Sequence, residues 1–249
     1  MENYLSEFKR LKEIMDLLRE KCPWDQKQTF ESLSHLTIEE TYELYDALLE
    51  KDENHIKEEV GDLFLHLVFY SKLLHESSNI ELADVLQSIN DKLVYRHPHV
   101  FEHDNPISEE MVKQNWEKLK LKEGRKSVLE GVPKSLPSIV KGWRIQEKAA
   151  QVGFDWENYS QVREKLTEEI IEFDDAIIFN DIEHIEEELG DLFFTLINMA
   201  RFLKIDPEKA VQKANQKFIK RFQYIEKNAK KPINELTIKE MELLWQQGK

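Results

Sequence analysis

The chain has 249 residues, 41% of them hydrophobic, which is enough for one large or two small domains with a buried core. Its 49 acidic and 35 basic residues give a net charge of −14, and such a surface repels nucleic-acid backbones and anionic lipids, so neither is expected as a partner. Gly and Pro number only seven each, which favours helices joined by short loops over strands joined by tight turns.

The N-terminal stretch, residues 1–21, is amphipathic and charged, unlike a signal peptide. Cys22 is the single cysteine, which excludes an intramolecular disulfide and a cysteine-based zinc site. The longest apolar run, near residues 63–70, is too short to cross a bilayer. These features predict a cytoplasmic protein that has no membrane partner.

Two acid-bearing helices are predicted next in the chain. The stretch TIEE has a capping-box spacing, which predicts a helix start at Thr37. Glu40 and Glu43 share one face of this helix and border its apolar side. The following segment, VGDLFLHLVFYSKLL, is apolar on nearly every side, which predicts burial. Glu59 and Asp62 nevertheless project from its beginning, one helical turn apart.

A third helix, QSINDKLVYR at residues 87–96, carries basic residues, and a segment rich in Gly and Pro follows it. That segment, about residues 120–142, is typical of a linker. We therefore predict one domain over residues 1–124 and a second over residues 125–249.

The second domain repeats the first. EETYELYDALL aligns with EEIIEFDDAII, and HIKEEVGDLFLHL aligns with HIEEELGDLFFTL, both at the 129-residue separation of Glu40 from Glu169. Thr167 is expected inside its helix. The third block matches QKANQKFIKR at an offset of 125, which we attribute to a loop that differs by four residues. This register predicts two homologous helical halves.

The repeated acids are unusual because they border apolar helix faces. Most acidic runs form solvated surfaces, but like charges that are partly buried together are costly unless a cation neutralises them. Carboxylate ligands without nitrogen or sulfur favour hard cations such as Mg²⁺, with Mn²⁺ as a second choice. The candidate metal ligands are Glu40, Glu43, Glu59 and Asp62 in the first half and Glu169, Glu172, Glu188 and Asp191 in the second.

Histidine does not belong to this repeated pattern of ligands. A di-iron bundle would place His three residues after Glu59 and Glu188, where this chain has Asp. His66 follows Asp62 by four residues but aligns with Thr195. We therefore expect His66 to be a hydrogen-bonded core residue.

A basic pair also recurs between the halves. Lys217 and Arg221 lie four residues apart on one helix face and match Lys92 and Arg96, which favours phosphate contacts over an exposed basic surface. For Trp245 two interpretations stay open, contact with a nucleotide and filling of a gap in the core.

These motifs resemble the MazG family of all-α NTP pyrophosphatases. The family pattern, EExxE followed by ExxD, is met twice, and CPWDQKQTF, RHPHVF, KSLPSIVKGWRIQEKAAQVGFDW and the terminal WQQ are also similar to the family. The resemblance covers nearly the whole chain. It implies an all-α fold of two tandem MazG-like domains, of the four-helix-bundle type, with bundles completed by homodimerisation.

The resemblance further implies Mg²⁺-dependent hydrolysis of nucleoside triphosphates to monophosphate and pyrophosphate, chiefly in the C-terminal half. Water activated by the metal would attack the α-phosphate. Either Glu168 or Glu169 would accept its proton, and the sequence leaves that choice open. The catalytic set implied is Glu168, Glu169, Glu172, Glu188 and Asp191, and the nucleotide contacts implied are Lys165, Glu168, Lys217, Arg221 and Trp245, with Lys92 and Arg96 retained in the first half.

The first half departs from the pattern at Leu36, which stands where the second half has Lys165. We expect metal binding in both halves, whereas turnover of NTPs by the first half stays open. Two other function classes also remain. A non-catalytic regulatory protein would bind nucleotide or metal without turnover, and a helical interaction module would bind neither.

Overall fold

The computed structural model describes residues 3–102 and 127–248, together with residues 108, 111, 112, 115, 116 and 119. The described residues form ten α-helices, two short 3₁₀ helices and no strand, which confirms the all-α prediction. None of these helices combines the length and the apolar character that crossing a membrane requires. The helices are α1 (Asn3–Lys21), α2 (Phe30–Glu50), α3 (Glu53–Ser78), α4 (Leu82–Arg96), α5 (Pro98–Phe101), α6 (Ser138–Gln151), α7 (Tyr159–Phe179), α8 (Ile182–Phe202), α9 (Pro207–Asn228) and α10 (Ile238–Gln247).

The chain divides into two compact units, residues 1–106 and residues 107–249. The predicted boundary at residue 124 and the first part of the predicted linker, residues 120–126, lie outside the described residues. The last part of that linker is helical, because α6 begins at Ser138. Gly142 lies in this helix, and a Cβ atom there would stand 3.0 Å from Cδ1 of Ile197, so glycine lets α6 approach α8 closely.

Each unit contains a helix hairpin whose turn is set by two residues. Lys51 ends α2 in the left-handed conformation, and the side chain of Asp52 accepts hydrogen bonds from the first backbone N–H groups of α3. Asn180 and Asp181 do the same between α7 and α8. Such a short connection between capped helices makes the two helices antiparallel neighbours.

The helix start predicted at Thr37 is wrong. The N-cap of α2 is Thr29, whose side chain accepts a hydrogen bond from the backbone N–H of Ser32 and whose own N–H donates to the Ser32 hydroxyl. Thr37 lies within α2, where its hydroxyl donates to the carbonyl of Leu33 at 3.1 Å. Its spacing to Glu40 resembles a capping box, but the helix continues because the N-terminal cap is already provided upstream.

The shift in the repeat offset arises from helix length and not from a longer loop. Helices α2 and α7 each have 21 residues, but α3 has 26 residues and α8 has 21. The connections that follow are short in both units, residues 79–81 and residues 203–206. About one extra helical turn at the end of α3 therefore changes the offset by four while keeping the same helix face toward the core.

The core of the N-terminal unit lies between α1, α2 and α3. It consists of five buried side chains, Met15, Leu33, Val68, Phe69 and Leu73. In the C-terminal unit the buried apolar side chains come from α7, α8 and α9, namely Val162, Leu166, Ala176, Ile197 and Ile225. In both units the acid-bearing hairpin provides part of this core, so its geometry is fixed by burial of apolar surface.

His66 is a core histidine, which confirms the prediction. It is 7% exposed, and its Nδ1 lies 2.8 Å from the hydroxyl oxygen of Thr37, which also lies 2.7 Å from the hydroxyl of Tyr70. Burial lowers the pKa of the His66 imidazole below its ordinary value, with nearby Asp62 opposing the shift. The folded unit therefore favours the neutral ring.

This burial predicts a pH-dependent contribution to stability. The unfolded chain takes up a proton on His66 near pH 6.5 more readily than the folded chain does, so the contribution is present above that pH and is lost as the pH falls below it. The free energy of unfolding of wild type should exceed that of His66→Gln by more at pH 7.5 than at pH 5.5, measured by urea denaturation. An equal difference at the two pH values would contradict the prediction.

Candidate functional site

Three carboxylates from α7 and α8 meet in the C-terminal unit. Glu169, Glu172 and Glu188 each present an oxygen, and these atoms all lie within 4.8 Å of one another. Glu169 is 4% exposed and Glu188 is 9% exposed, so two of the three carboxylates are held almost out of solvent. Negative charges this close in a partly desolvated site require positive charge among them.

Lys165 provides that charge within the chain. Its Nζ lies 2.5 Å from Oε1 of Glu168, 2.8 Å from Oε1 of Glu169 and 3.8 Å from Oε2 of Glu172. Hydrogen bonds to Glu168 and Glu169 raise the pKa of Lys165 above its ordinary value, against the opposing effect of desolvation. The ammonium group is therefore protonated and held against the carboxylates.

Glu172 is the more exposed member of the cluster. Its side chain is 46% exposed, and its pKa is raised, first by desolvation and then by repulsion from Glu169, Glu168 and Glu188, although Lys165 opposes the shift. The raised pKa shows that the local field at this carboxylate is negative even with the lysine present. The cluster can therefore accept further positive charge.

The N-terminal unit builds a similar cluster from α2 and α3. Oxygens of Glu40, Glu43 and Glu59 lie within 4.8 Å of one another. Glu59 is 5% exposed, its Oε1 lies 2.9 Å from Nε2 of His55, and its Oε2 is buried without a hydrogen-bond partner in the described part of the chain. The pKa of Glu40 is raised, first by burial and then by Asp62, Glu43 and Glu59.

The two clusters differ in their internal cation. Leu36 occupies the position equivalent to Lys165 and packs against the hydrophobic core of the N-terminal unit. The N-terminal carboxylates consequently have no lysine placed as Lys165 is. The substitution predicted from the repeat thus changes the charge of the site and not the helix that carries it.

The fourth predicted ligand of each unit lies beside its cluster. Asp62 and Asp191 follow the buried glutamates Glu59 and Glu188 by one turn, yet neither belongs to the set of oxygens within 4.8 Å. Asp191 instead lines an adjacent cavity together with Lys165. The structure therefore brings together three of the four predicted ligands in each unit.

Two histidines beside the clusters were missed in the sequence analysis. Nε2 of His55 contacts Glu59 at 2.9 Å, and Nε2 of His184 lies 3.7 Å from Oε1 of Glu188. Each histidine precedes its glutamate by four residues, which places both on the same helix face. The signal was available, because these histidines begin the repeated segments HIKEEVGDLF and HIEEELGDLF.

An apolar cavity of about 580 Å³ adjoins the C-terminal cluster. Lys165, Glu169 and Asp191 line it on the side of the carboxylates, and Phe154 and Trp156 contribute aromatic rings. Pockets of roughly 300–1,000 Å³ with a few polar groups are typical of small-molecule sites. Sequence reasoning did not find this cavity, because its lining comes from α6, α7, α8 and the segment between α6 and α7.

The basic residues of α9 lie elsewhere in the same unit. Trp245 packs with its ring centroid 5.1 Å from that of Phe218, and Cζ of Arg221 lies 5.3 Å from the centroid of the Trp245 ring. Neither Lys217 nor Arg221 forms an ion pair with the described acids, and neither lines the cavity. The structure therefore does not bring this group into contact with the carboxylate cluster.

In the N-terminal unit the equivalent basic residues lie on α4. Lys92 is exposed and Arg96 is partly buried, one helical turn apart. They share a helix face, as the sequence predicted, but no described contact connects Lys92 to the cluster of α2 and α3.

Comparison with known proteins places these observations in context. The MazG nucleotide pyrophosphohydrolase domain matches residues 28–101 and again residues 157–225. The chain is 40% identical over 250 residues to the nucleoside triphosphate pyrophosphohydrolase/pyrophosphatase MazG of Thermotoga maritima, covering 97% of this chain and 95% of that protein. It is 38% identical over 257 residues to the nucleoside triphosphate pyrophosphohydrolase of Escherichia coli K12, covering 98% of each.

A third relative extends beyond the region of similarity. The uncharacterized protein YabN of Bacillus subtilis is 40% identical over 252 residues, which cover 98% of this chain but 52% of that protein. Both matched domain segments contain one acid-bearing helix hairpin, so the duplication read from the sequence coincides with a duplicated family domain.

Proposed function

The chain belongs to the MazG family of nucleotide pyrophosphohydrolases, and from this premise we propose that its C-terminal unit hydrolyses nucleoside triphosphates to monophosphate and pyrophosphate. As an enzyme it is a hydrolase that acts on acid anhydrides. The observation that carries the proposal is the combination of three clustered carboxylates, a charged lysine and an adjoining apolar cavity in one unit.

A hard divalent cation fits the donor set of the cluster, because the oxygens of three carboxylates converge within 4.8 Å. We propose Mg²⁺ as this cation, with Mn²⁺ as a substitute, held by Glu169, Glu172 and Glu188 with Asp191 beside them. When bound, such an ion supplies a water of lowered pKa and neutralises phosphate charge. The buried Glu169 and Glu188 would be its least mobile ligands.

The remaining groups of the cluster act on the substrate itself. Lys165 is placed to donate hydrogen bonds to phosphate oxygens, because its ammonium already lies at the edge shared by the cluster and the cavity. Glu168 contacts Lys165 but does not belong to the three-carboxylate set, so it is available to accept a proton from the attacking water. Between Glu168 and Glu169, this placement favours Glu168 as the base.

Lys217 and Arg221 are proposed as further phosphate contacts, and Trp245 as a contact to the nucleoside. Their support is the recurrence of the Lys and Arg pair in both halves and the packing of Arg221 on Trp245. Arginine and lysine on one helix face suit the equatorial oxygens of a triphosphate. Lys92 and Arg96 are the corresponding proposal for the N-terminal unit.

The N-terminal unit is proposed to bind a divalent cation without carrying the main turnover. The buried and unpartnered Oε2 of Glu59 favours cation binding there. Leu36 in the place of Lys165 removes a phosphate contact, which favours a binding role over hydrolysis. A regulatory metal or nucleotide site is thus the second candidate function, and it applies to this unit.

We also propose that the chain forms a homodimer. Helices α7 and α8 leave large apolar side chains in solvent, which is unusual for a monomer because exposed apolar surface of this extent marks interfaces. A second copy of the hairpin would complete a four-helix bundle. The side chains concerned are Ile170, Ile171, Ile177, Ile178, Phe179, Ile182, Leu189, Phe193 and Leu196.

The proposed activity is tested by identifying the products. The full chain should convert ATP, GTP, CTP and UTP, and their deoxy counterparts, to monophosphate and pyrophosphate in equal amounts, resolved by anion-exchange chromatography. The reaction should require Mg²⁺ or Mn²⁺ and stop when EDTA is added. Release of orthophosphate and diphosphate would place cleavage at the wrong bond and contradict the proposal.

A further inference from the structure

We propose that the base of the nucleotide binds in the cavity beside the C-terminal cluster, where Gln146 accepts a hydrogen bond from it and Phe154 and Trp156 contact its ring. We call this cavity the aromatic cavity. The inference rests on the proposed function, since it assigns the nucleoside end of the same substrate. It differs from the role implied for Trp245, which lies outside the aromatic cavity.

The position and size of the aromatic cavity suit this role. Its volume is about 580 Å³, and Lys165, Glu169 and Asp191 form part of its lining. A substrate whose phosphates reach Lys165 therefore has its remaining part at the entrance of the cavity. An apolar enclosure beside a charged cluster matches a nucleotide, which carries a planar ring at one end and phosphates at the other.

Gln146 provides an acceptor that no described residue satisfies. The side chain is 7% exposed, and its Nε2 donates to the carbonyl oxygen of Phe194 at 2.7 Å, which fixes the orientation of the amide. Its Oε1 is buried and has no hydrogen-bond partner in the described part of the chain. A buried acceptor without a donor is costly, and every nucleobase offers an N–H donor.

Asn198 provides a donor on the same cavity wall. Its Oδ1 accepts hydrogen bonds from Nε of Arg201 at 3.1 Å and from Nη2 at 2.9 Å. The Nδ2 group is thereby left to donate, and Asn198 lines the cavity with Gln146. An acceptor and a donor in one pocket complement the mixed hydrogen-bonding edge of a base.

The aromatic rings are exposed but held in place. Phe154 is 82% exposed and Trp156 is 41% exposed, although large apolar rings in a fixed segment gain from a stacking partner. Asp155, between them, forms a two-pronged ion pair with Arg201 on α8, in which Nη1 lies 2.9 Å from Oδ2. This pair ties the aromatic segment to the helix that carries the acids.

The N-terminal unit lacks these groups at equivalent positions. In the register of α3 and α8, Asn198 corresponds to Phe69, which is buried in the core. Arg201 corresponds to Lys72, which pairs with Asp16 instead of holding an aromatic segment. The aromatic cavity is therefore a feature of the C-terminal unit, the one that also has the lysine at its carboxylate cluster.

Kinetics of the full chain test the inference with two variants and a probe that lacks a base. Trp156→Ala should raise KM for ATP and UTP roughly 10- to 100-fold through loss of stacking. Gln146→Leu should raise it about 3- to 10-fold through loss of one hydrogen bond. Inorganic tripolyphosphate, used as a competitive inhibitor, should keep its inhibition constant within about two-fold in both variants.

Controls separate this inference from its alternatives. Trp24→Ala, which removes an exposed tryptophan from the N-terminal unit, should leave KM unchanged, and Trp156→Phe should restore most of the affinity lost in Trp156→Ala. Equal weakening of nucleotide and tripolyphosphate would overturn the placement of the base. So would an unchanged KM in both variants together with a raised KM in Trp245→Ala. Absence of pyrophosphate release by wild type would count against the proposed function instead.

Discussion

Glu172→Gln is expected to lower the rate of pyrophosphate release by about 100-fold or more while the protein remains folded. The substitution removes one negative charge from three carboxylates whose oxygens converge within 4.8 Å, and it keeps the shape of the side chain. Because the Glu172 side chain is 46% exposed, the uncharged amide can still be solvated, so the unfolding temperature should change little. Steady-state kinetics and thermal unfolding measure the two effects.

Glu43→Gln is the matched control, because Glu43 holds the equivalent position in the N-terminal cluster. We expect this variant to keep at least about half of the wild-type rate, since its unit has Leu36 in the place of the lysine. Calorimetric titration with Mn²⁺ should show one weakened site in each variant. Full activity of Glu172→Gln would sink the assignment of the C-terminal site, and equal losses in both variants would show that both units contribute to turnover.

Lys165→Met is expected to have two opposite effects. The value of kcat/KM should fall roughly 10- to 100-fold, because a charged hydrogen bond to the triphosphate is lost. Binding of Mn²⁺ without nucleotide should become about 3- to 10-fold tighter, because the Lys165 ammonium lies 2.8 Å from Glu169 and competes with any other cation there. The lysine thus links the two ligands, since a cation that displaces it from the acids frees it for phosphate.

The control for this variant is Leu36→Met, which places the same residue in both units. Leu36 packs against the N-terminal core, and exchange of Leu for Met in such a position is usually well tolerated. Its kinetics and its Mn²⁺ affinity should match those of wild type. Weaker Mn²⁺ binding by Lys165→Met would mean that the lysine organises the carboxylates instead of competing for them.

The two units show how one helical template serves different roles. Both place a buried glutamate at the start of the second helix of the hairpin, Glu59 in one unit and Glu188 in the other, with a histidine one turn before it. They differ at single positions around this frame, where Leu36 replaces Lys165 and Phe69 replaces Asn198. Such changes alter charge and hydrogen bonding without disturbing the hairpin.

Local errors in the sequence analysis have local physical causes. The spacing from Thr37 to Glu40 fits a cap, but a cap forms only where the chain enters a helix, and that entry lies at Thr29. The four-residue shift between the halves was attributed to a loop, whereas α3 is longer than α8 by about one turn. Neither pattern could be decided without knowing which residues are already helical.

The sequence by itself determined the all-helical class, the duplication and the acids that converge, because helical periodicity and repeated spacing are properties of the chain over one or two turns. Only the tertiary structure decided that three carboxylates meet in each unit, that Lys165 lies among those of the C-terminal one, and that Gln146 and Trp156 share a cavity with them. These residues come from separate helices and segments, and their distances depend on how apolar faces pack, which no local pattern encodes.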